Sequence, residues 1–282
     1  MYESFFGLRE PAFALTPDPR FLWLSETHEE GLGALCYGIE SRKGFLLLTG
    51  EVGTGKTTLL RAALERLPPD TETALVLNTT ALEGLDLLKM ITRELGVSGT
   101  LETKADYVIA LNSYLLARLK DGCNVVLVID EAQNLDATAL EEVRLLSNLE
   151  TDTDKLIQIV LTGQPELRQR LAQPELRALR QRIALEHHVT PLLPEEVRPY
   201  LRHRIDVAHG RYESLFAPGC ESAFYGFSRG APRLINVLAD RLLIAAFGKN
   251  LRPVPRWLVE QKAKEAAESM GRGLLGPSLK EL

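Results

Sequence analysis

A chain of 282 residues, 45% hydrophobic and 25% charged, has the balance of a folded protein and excludes wholesale disorder. Its length suits a large domain followed by a smaller one with its own core. A formal net charge of −5 excludes a surface coated in positive potential, though not a basic patch on one face. Cys36, Cys123 and Cys220 form no CxxC pair and have no metal-ligand spacing with the five histidines, so reduced thiols are expected. The opening MYESFFGLRE lacks a basic region, an apolar stretch and a small-residue cleavage site, so we expect no secretion signal. The longest apolar runs, 125–129 and 242–247, fall short of the roughly 20 residues a membrane span needs. A cytoplasmic location is therefore expected.

Short apolar runs alternate with helical patterns along the first two thirds of the chain. The segment SETHEE reads as a helix start with Ser25 as cap, and His28 within it as structural. Strand 45–48 is followed by helix 57–67, strand 74–77 by helix 82–95, strand 125–129 by helix 137–149, and strand 156–161 by helix 166–182. Strand 183–189 closes the series. Strands so nearly continuous in apolar residues, separated by helices, predict an α/β fold: a five-stranded parallel sheet covered on both faces. After Pro191 the pattern changes to helices at 195–208, 220–228, 232–246 and 255–269 with no strand between them, a small all-helical domain. The expected division is 1–190 for the α/β domain, 191–270 for the helical domain and 271–282 for a flexible tail or linker.

Residues 50–57 read GEVGTGKT and satisfy G-x-x-x-x-G-K-[ST], with an apolar strand before and a helix-forming run after. Glycines at 50, 53 and 55 let the backbone curl around an anion, its amides turned to phosphate at the positive end of a helix. The expected phosphate segment is Gly50, Glu51, Val52, Gly53, Thr54, Gly55, Lys56, Thr57 and Thr58. Lys56 is expected to reach the β- and γ-phosphates of ATP, and Thr57 to ligate Mg2+. The competing account is a glycine-rich turn with a surface lysine. A second element weighs against it: VVLVIDE, 125–131, is an apolar strand ending in two carboxylates. Asp130 is then placed to hold the metal and Glu131 to orient or deprotonate the attacking water. Two acids capping the helix near Asp136 account poorly for both carboxylates after a buried strand. A kinase is a weaker reading, since no acceptor signature is apparent and a water-orienting glutamate favours hydrolysis.

With those motifs in place, the order of parts resembles the AAA+ ATPases, and more closely the general secretion pathway ATPase A (ExeA-like) family. The resemblance is carried by YESFFGLREPAFALTPDPRFLWLS, GFLLLTGEVGTGKTTLLR, VLVIDEAQNL with LEEVRLLSNLET, IVLTGQPELRQRL through PELRALRQRI, and SRGAPRLINVLADRLLIAA. It implies an ATP hydrolase working with Mg2+ as a homo-oligomeric ring or filament, with ATP held between subunits and turnover dependent on assembly. It also implies that Thr162 and Gln164 are polar sensors, Gln164 alternatively fixing the PEL turn, and that Asn78 holds Glu131 or merely ends its strand. Arg233 resembles a lid sensor for the γ-phosphate, with a lid salt bridge as the other reading. Arg182, with Arg180 and Arg177 behind it, resembles an arginine finger presented to a neighbour, or else simple surface charge.

In the family the N-terminal segment, here 1–40 with Phe5, Phe6, Leu8, Pro11 and Phe13, folds over the adenine; alternatively it seals the sheet edge. The output the resemblance implies is assembly of a secretion or envelope machine with a protein partner. Members of that family commonly continue into a membrane span and a cell-wall-binding domain, which the given sequence does not contain. The alternative is a DNA-associated ATPase, similar to the TniB or TnsC transposition regulators, with duplex DNA contacted by arginines 168, 170, 177, 180 and 182.

Overall fold

The structure is a computed structural model and describes residues 1–16, 18–77 and 83–269. In chain order these form α1 (Tyr2–Phe6), α2 (Glu26–Glu40), β1 (Phe45–Gly50), α3 (Lys56–Leu64), β2 (Thr71–Val76), α4 (Gly84–Glu94), α5 (Lys104–Lys120) and β3 (Asn124–Ile129). Then follow α6 (Ala137–Leu146), β4 (Gln158–Gly163), α7 (Pro165–Leu171), α8 (Arg177–Arg180) and β5 (Ile183–Val189). The remainder is helical: α9 (Val197–Val207), α10 (Tyr212–Leu215), α11 (Cys220–Ser228), α12 (Pro232–Gly248) and α13 (Arg256–Ser269). No described helix is long and apolar enough to cross a membrane.

Packing divides the chain into two compact units: Glu26–Gly50 with Leu59–Val189, and Met1–Ser25 with Glu51–Thr58 and Thr190–Leu282. The first unit holds the expected parallel sheet, in the order β2-β3-β4-β1-β5. Every residue of β1, β3 and β4 is buried, which is why these strands carry apolar residues at nearly every position instead of alternating. Helix α4 packs on β2, α5 on β3, α7 on β1, and α2 on β5 and β1.

Two helical features depart from the sequence reading. Helix α5 was not among the expected elements, although its start is written in a capping box. Thr103 Oγ1 accepts the Asp106 amide at 3.3 Å, and Asp106 Oδ2 accepts the Thr103 amide at 2.7 Å. Only Leu111 and Leu115 of this helix are fully enclosed, so its apolar stripe is thin. The single helix expected over 166–182 is broken: α7 ends at Leu171, a 3-10 turn spans Pro174–Leu176, and α8 is one short turn. Pro174 has no N–H to donate and its ring collides with the carbonyl four residues back, so the helix cannot run through.

The helical unit has its own core, built from α9, α11, α12 and α13 and from the N-terminal segment. Phe6, Leu8 and Phe13 are buried there; Phe5 meets Phe247 edge-on at 5.4 Å and Phe13 meets Phe216 at 6.4 Å. The N-terminal residues therefore pack with the helical unit. Arg204 of α9 fastens them. Only 8% exposed, its guanidinium donates to the carbonyls of Ala12 at 2.7 Å and Ala14 at 3.1 Å and lies 4.8 Å above the Phe21 ring. Arg204→Ala leaves two carbonyls without their donor and removes the cation–π contact, a loss of about 2–4 kcal/mol. Denaturant unfolding checks this, and an unchanged midpoint contradicts it.

Cys220 is enclosed in the same core, and burial pushes its thiol up to about 11, so it stays protonated and unreactive near neutral pH. The three cysteines are free thiols, as expected.

Candidate functional site

β1 ends at Gly50 and α3 begins at Lys56, so the loop between them turns the chain within five residues. Gly53 has φ +81° and Gly55 φ +101°, conformations that only glycine adopts without strain. Thr54 is enclosed, its hydroxyl donating to the Glu51 carbonyl at 2.9 Å, and Lys56, 6% exposed, donates from Nζ to the same carbonyl at 3.0 Å. A surface lysine on a glycine-rich turn would not be buried in this way. The loop also docks on the start of α12. The Arg233 amide donates to the Gly53 carbonyl at 3.1 Å, and a Cβ on Gly53 would lie 2.7 Å from the Arg233 Cβ. The Arg233 side chain itself is exposed, and among the described residues no ion pair holds it.

The carboxylates stand at the carboxyl edge of the sheet. Register pairs Ile129 of β3 with Leu161 of β4, and Leu48 of β1 with Thr162, so Asp130 falls beside Thr162. The Thr162 hydroxyl donates to Asp130 Oδ1, which also accepts the Glu131 amide at 2.9 Å; Asp130 is 7% exposed. Glu131 lies in the left-handed region, φ 53° and ψ 40°. A non-glycine residue there carries strain that the surrounding structure must hold in place, as is common where a side chain has to be aimed. Its carboxylate Oε2 accepts from the Gln164 side chain at 3.1 Å and from that of Gln133.

Most expected site residues in this unit therefore converge: Asp130, Glu131, Thr162 and Gln164 form one hydrogen-bonded cluster. The Gln164 side chain touches the glutamate, its main-chain amide donates to Gln133 Oε1 at 3.1 Å, and its carbonyl accepts the Leu167 amide of the PEL turn at 2.9 Å. Gln133 was missed in the sequence, although it stands two residues beyond Glu131 in DEAQ. Asn78 lies outside the described residues. Arg182 is half-buried and its Nη1 donates to Ser147 Oγ, whereas Arg177 and Arg180 are exposed. Arg170 turns inward onto the carbonyls of Gln133, at 2.9 Å, and Leu135. Arg168 stands 3.8 Å from Glu186.

Residues 39–171 match the AAA domain family. Over 250 residues the chain is 47% identical to general secretion pathway protein A of Aeromonas hydrophila, covering 88% of this chain and 45% of that protein. Among solved structures it is similar to Cdc6p of Pyrobaculum aerophilum, with TM-score 0.70 and 18% identity over 90% of this chain and 70% of the other. It is also similar to the ORC2 protein of Aeropyrum pernix in its ADPNP-ADP complexes, with TM-score 0.67 and 16% identity over 91% of this chain and 71% of the other. The chain carries an AAA domain within an AAA+ fold. It is a homologue of general secretion pathway protein A and spans about half the length of that relative. The two structural likenesses establish the AAA+ fold, a five-stranded parallel sheet with surrounding helices and a helical C-terminal region.

Proposed function

We propose that the chain is an AAA+ ATPase that hydrolyses ATP with Glu131 as the water-activating residue, and that hydrolysis switches assembly of a secretion or envelope complex. The observation that carries the chemistry is the aimed Glu131 carboxylate, fixed by two side-chain amides next to Asp130 at the sheet's carboxyl edge. Residues 50–58 cradle the phosphates through main-chain amides, and Lys56 carries the compensating charge. Thr57 and Asp130 are hard oxygen donors of the kind Mg2+ takes, and the fixed Asp130 carboxylate suits that role. When bound, Mg2+ neutralises charge on the phosphate oxygens. Glu131 takes a proton from the attacking water at Oε1 or Oε2, Thr162 keeps Asp130 in register, and Arg233 senses the γ-phosphate.

The chain works as a cytoplasmic homo-oligomer with an arginine supplied in trans. Arg182 is engaged by Ser147, so Arg177 and Arg180, exposed and with no ion pair among the described residues, are better suited to reach a neighbour. A finger of this kind is worth about 10³ to 10⁵ in rate. The name of the 47% identical relative supports the secretion role.

The test is ATP turnover of the purified chain with and without duplex DNA, alongside its mass in solution. The expected result is turnover indifferent to DNA and a nucleotide-dependent rise in mass. Strong stimulation by DNA, with filaments forming on it, replaces the secretion role with the transposition one.

A further inference from the structure

We infer that Gln133 is a positioning residue for hydrolysis, aiming the Glu131 carboxylate through its side-chain amide. The inference rests on the reading of Glu131 as the water-activating residue.

A glutamate has three side-chain torsions, and fixing such a side chain costs about 1.5–2 kcal/mol of rotamer freedom. A base must nevertheless stand within hydrogen-bond reach of its water, so something has to hold it. Gln133 Nε2 donates to Glu131 Oε2, and Gln164 Nε2 donates to the same oxygen at 3.1 Å. Two donors on one oxygen set the rotation of the carboxylate about its last torsion.

Gln133 is itself over-determined, and this separates a positioning device from a chance contact. Its Oε1 accepts the main-chain amide of Gln164 at 3.1 Å. A main-chain N–H can only donate, so the Gln133 amide cannot be flipped: the oxygen faces Gln164 and the NH2 must face Glu131. Its carbonyl accepts Arg170 Nη1 at 2.9 Å, tying the 3-10 turn Ala132–Asn134 to α7. Room for the side chain comes from Gly163, where a Cβ would stand 2.5 Å from Gln133 Oε1. The glycine that ends β4 and the glutamine of DEAQ thus serve one arrangement. Asparagine at 133 is one methylene too short to span both partners, and glutamate keeps the acceptor for Gln164 but loses the donor to Glu131.

The experiment is a double-mutant cycle on the full chain, read as single-turnover ATP hydrolysis together with affinity for a fluorescent ATP analogue and the melting temperature. Gln133→Ala is expected to lower kcat about 10- to 100-fold with nucleotide affinity unchanged, as loss of an aimed base requires. In a Glu131→Gln background the same substitution is expected to cost nothing more, because the carboxylate it aims is gone. Gln133→Glu, which preserves size and the bond to Gln164, should fall as far as Gln133→Ala while melting like the native chain. Native kcat in either Gln133 variant overturns the proposal, as does an equal loss in both backgrounds, which marks a merely structural residue. Native turnover in Glu131→Gln alone overturns the parent reading of Glu131 instead.

Discussion

Glu131→Gln binds ATP with native affinity and fails to hydrolyse it, remaining in the assembled, nucleotide-bound state. The substitution keeps the shape of the side chain and removes the group that can accept a proton from water. It leaves the main-chain amide of residue 131 in place to donate to Asp130 Oδ1. A positioned general base contributes about 10² to 10⁴ in rate, and that is the loss expected in kcat. Gln133 and Gln164 both present NH2 groups to this position, so a glutamine here meets two donors with one carbonyl and the local hydrogen bonding largely survives. Phosphate release from a preformed complex, with mass measured by light scattering, is the decisive readout. If the variant turns over at the native rate, the proton goes elsewhere and the mechanism proposed above is wrong.

Lys56→Ala gives the opposite phenotype: the protein folds and nucleotide no longer binds. Lys56 is 6% exposed, in the first turn of α3, so its ammonium meets phosphate where water screens it little. Truncating one partner of a buried, hydrogen-bonded charge pair costs about 2–5 kcal/mol, which is roughly 30- to several-thousand-fold in Kd. The native contacts it forfeits include the bond to the Glu51 carbonyl at 3.0 Å, a loss the fold should tolerate. Titration with a fluorescent ATP analogue measures the effect, with melting in the absence of nucleotide as the control. Binding at native affinity in the variant would leave the phosphate loop without a function.

The two substitutions are informative as a pair because they separate binding from chemistry. A protein that lost hydrolysis in both and binding in neither would point to a scaffold that retains nucleotide without using Lys56. Loss of binding in both would mean that Glu131 supports the loop structurally.

What was legible in the sequence is what is local along the chain. The phosphate loop is eight consecutive residues in which Gly53 and Gly55 take positive φ, and the acid pair follows one apolar strand directly, so no long-range information is needed to read either. The three central strands β1, β3 and β4 announce themselves because enclosure on both faces leaves no polar alternation. Helix α5 escaped notice for the converse reason: a helix that encloses little of itself carries a faint apolar stripe, and only its capping box marks it. Tertiary structure alone decided the rest, since strand register and helix packing join residues far apart in sequence. It set Thr162 beside Asp130, brought Gln164 and Gln133 onto one oxygen of Glu131, engaged Arg182 with Ser147, and drew the N-terminal aromatics into the helical core under Arg204. Residue types could be read as donors and acceptors from the chain itself; which donor meets which acceptor depended on how the strands and helices came to lie against one another.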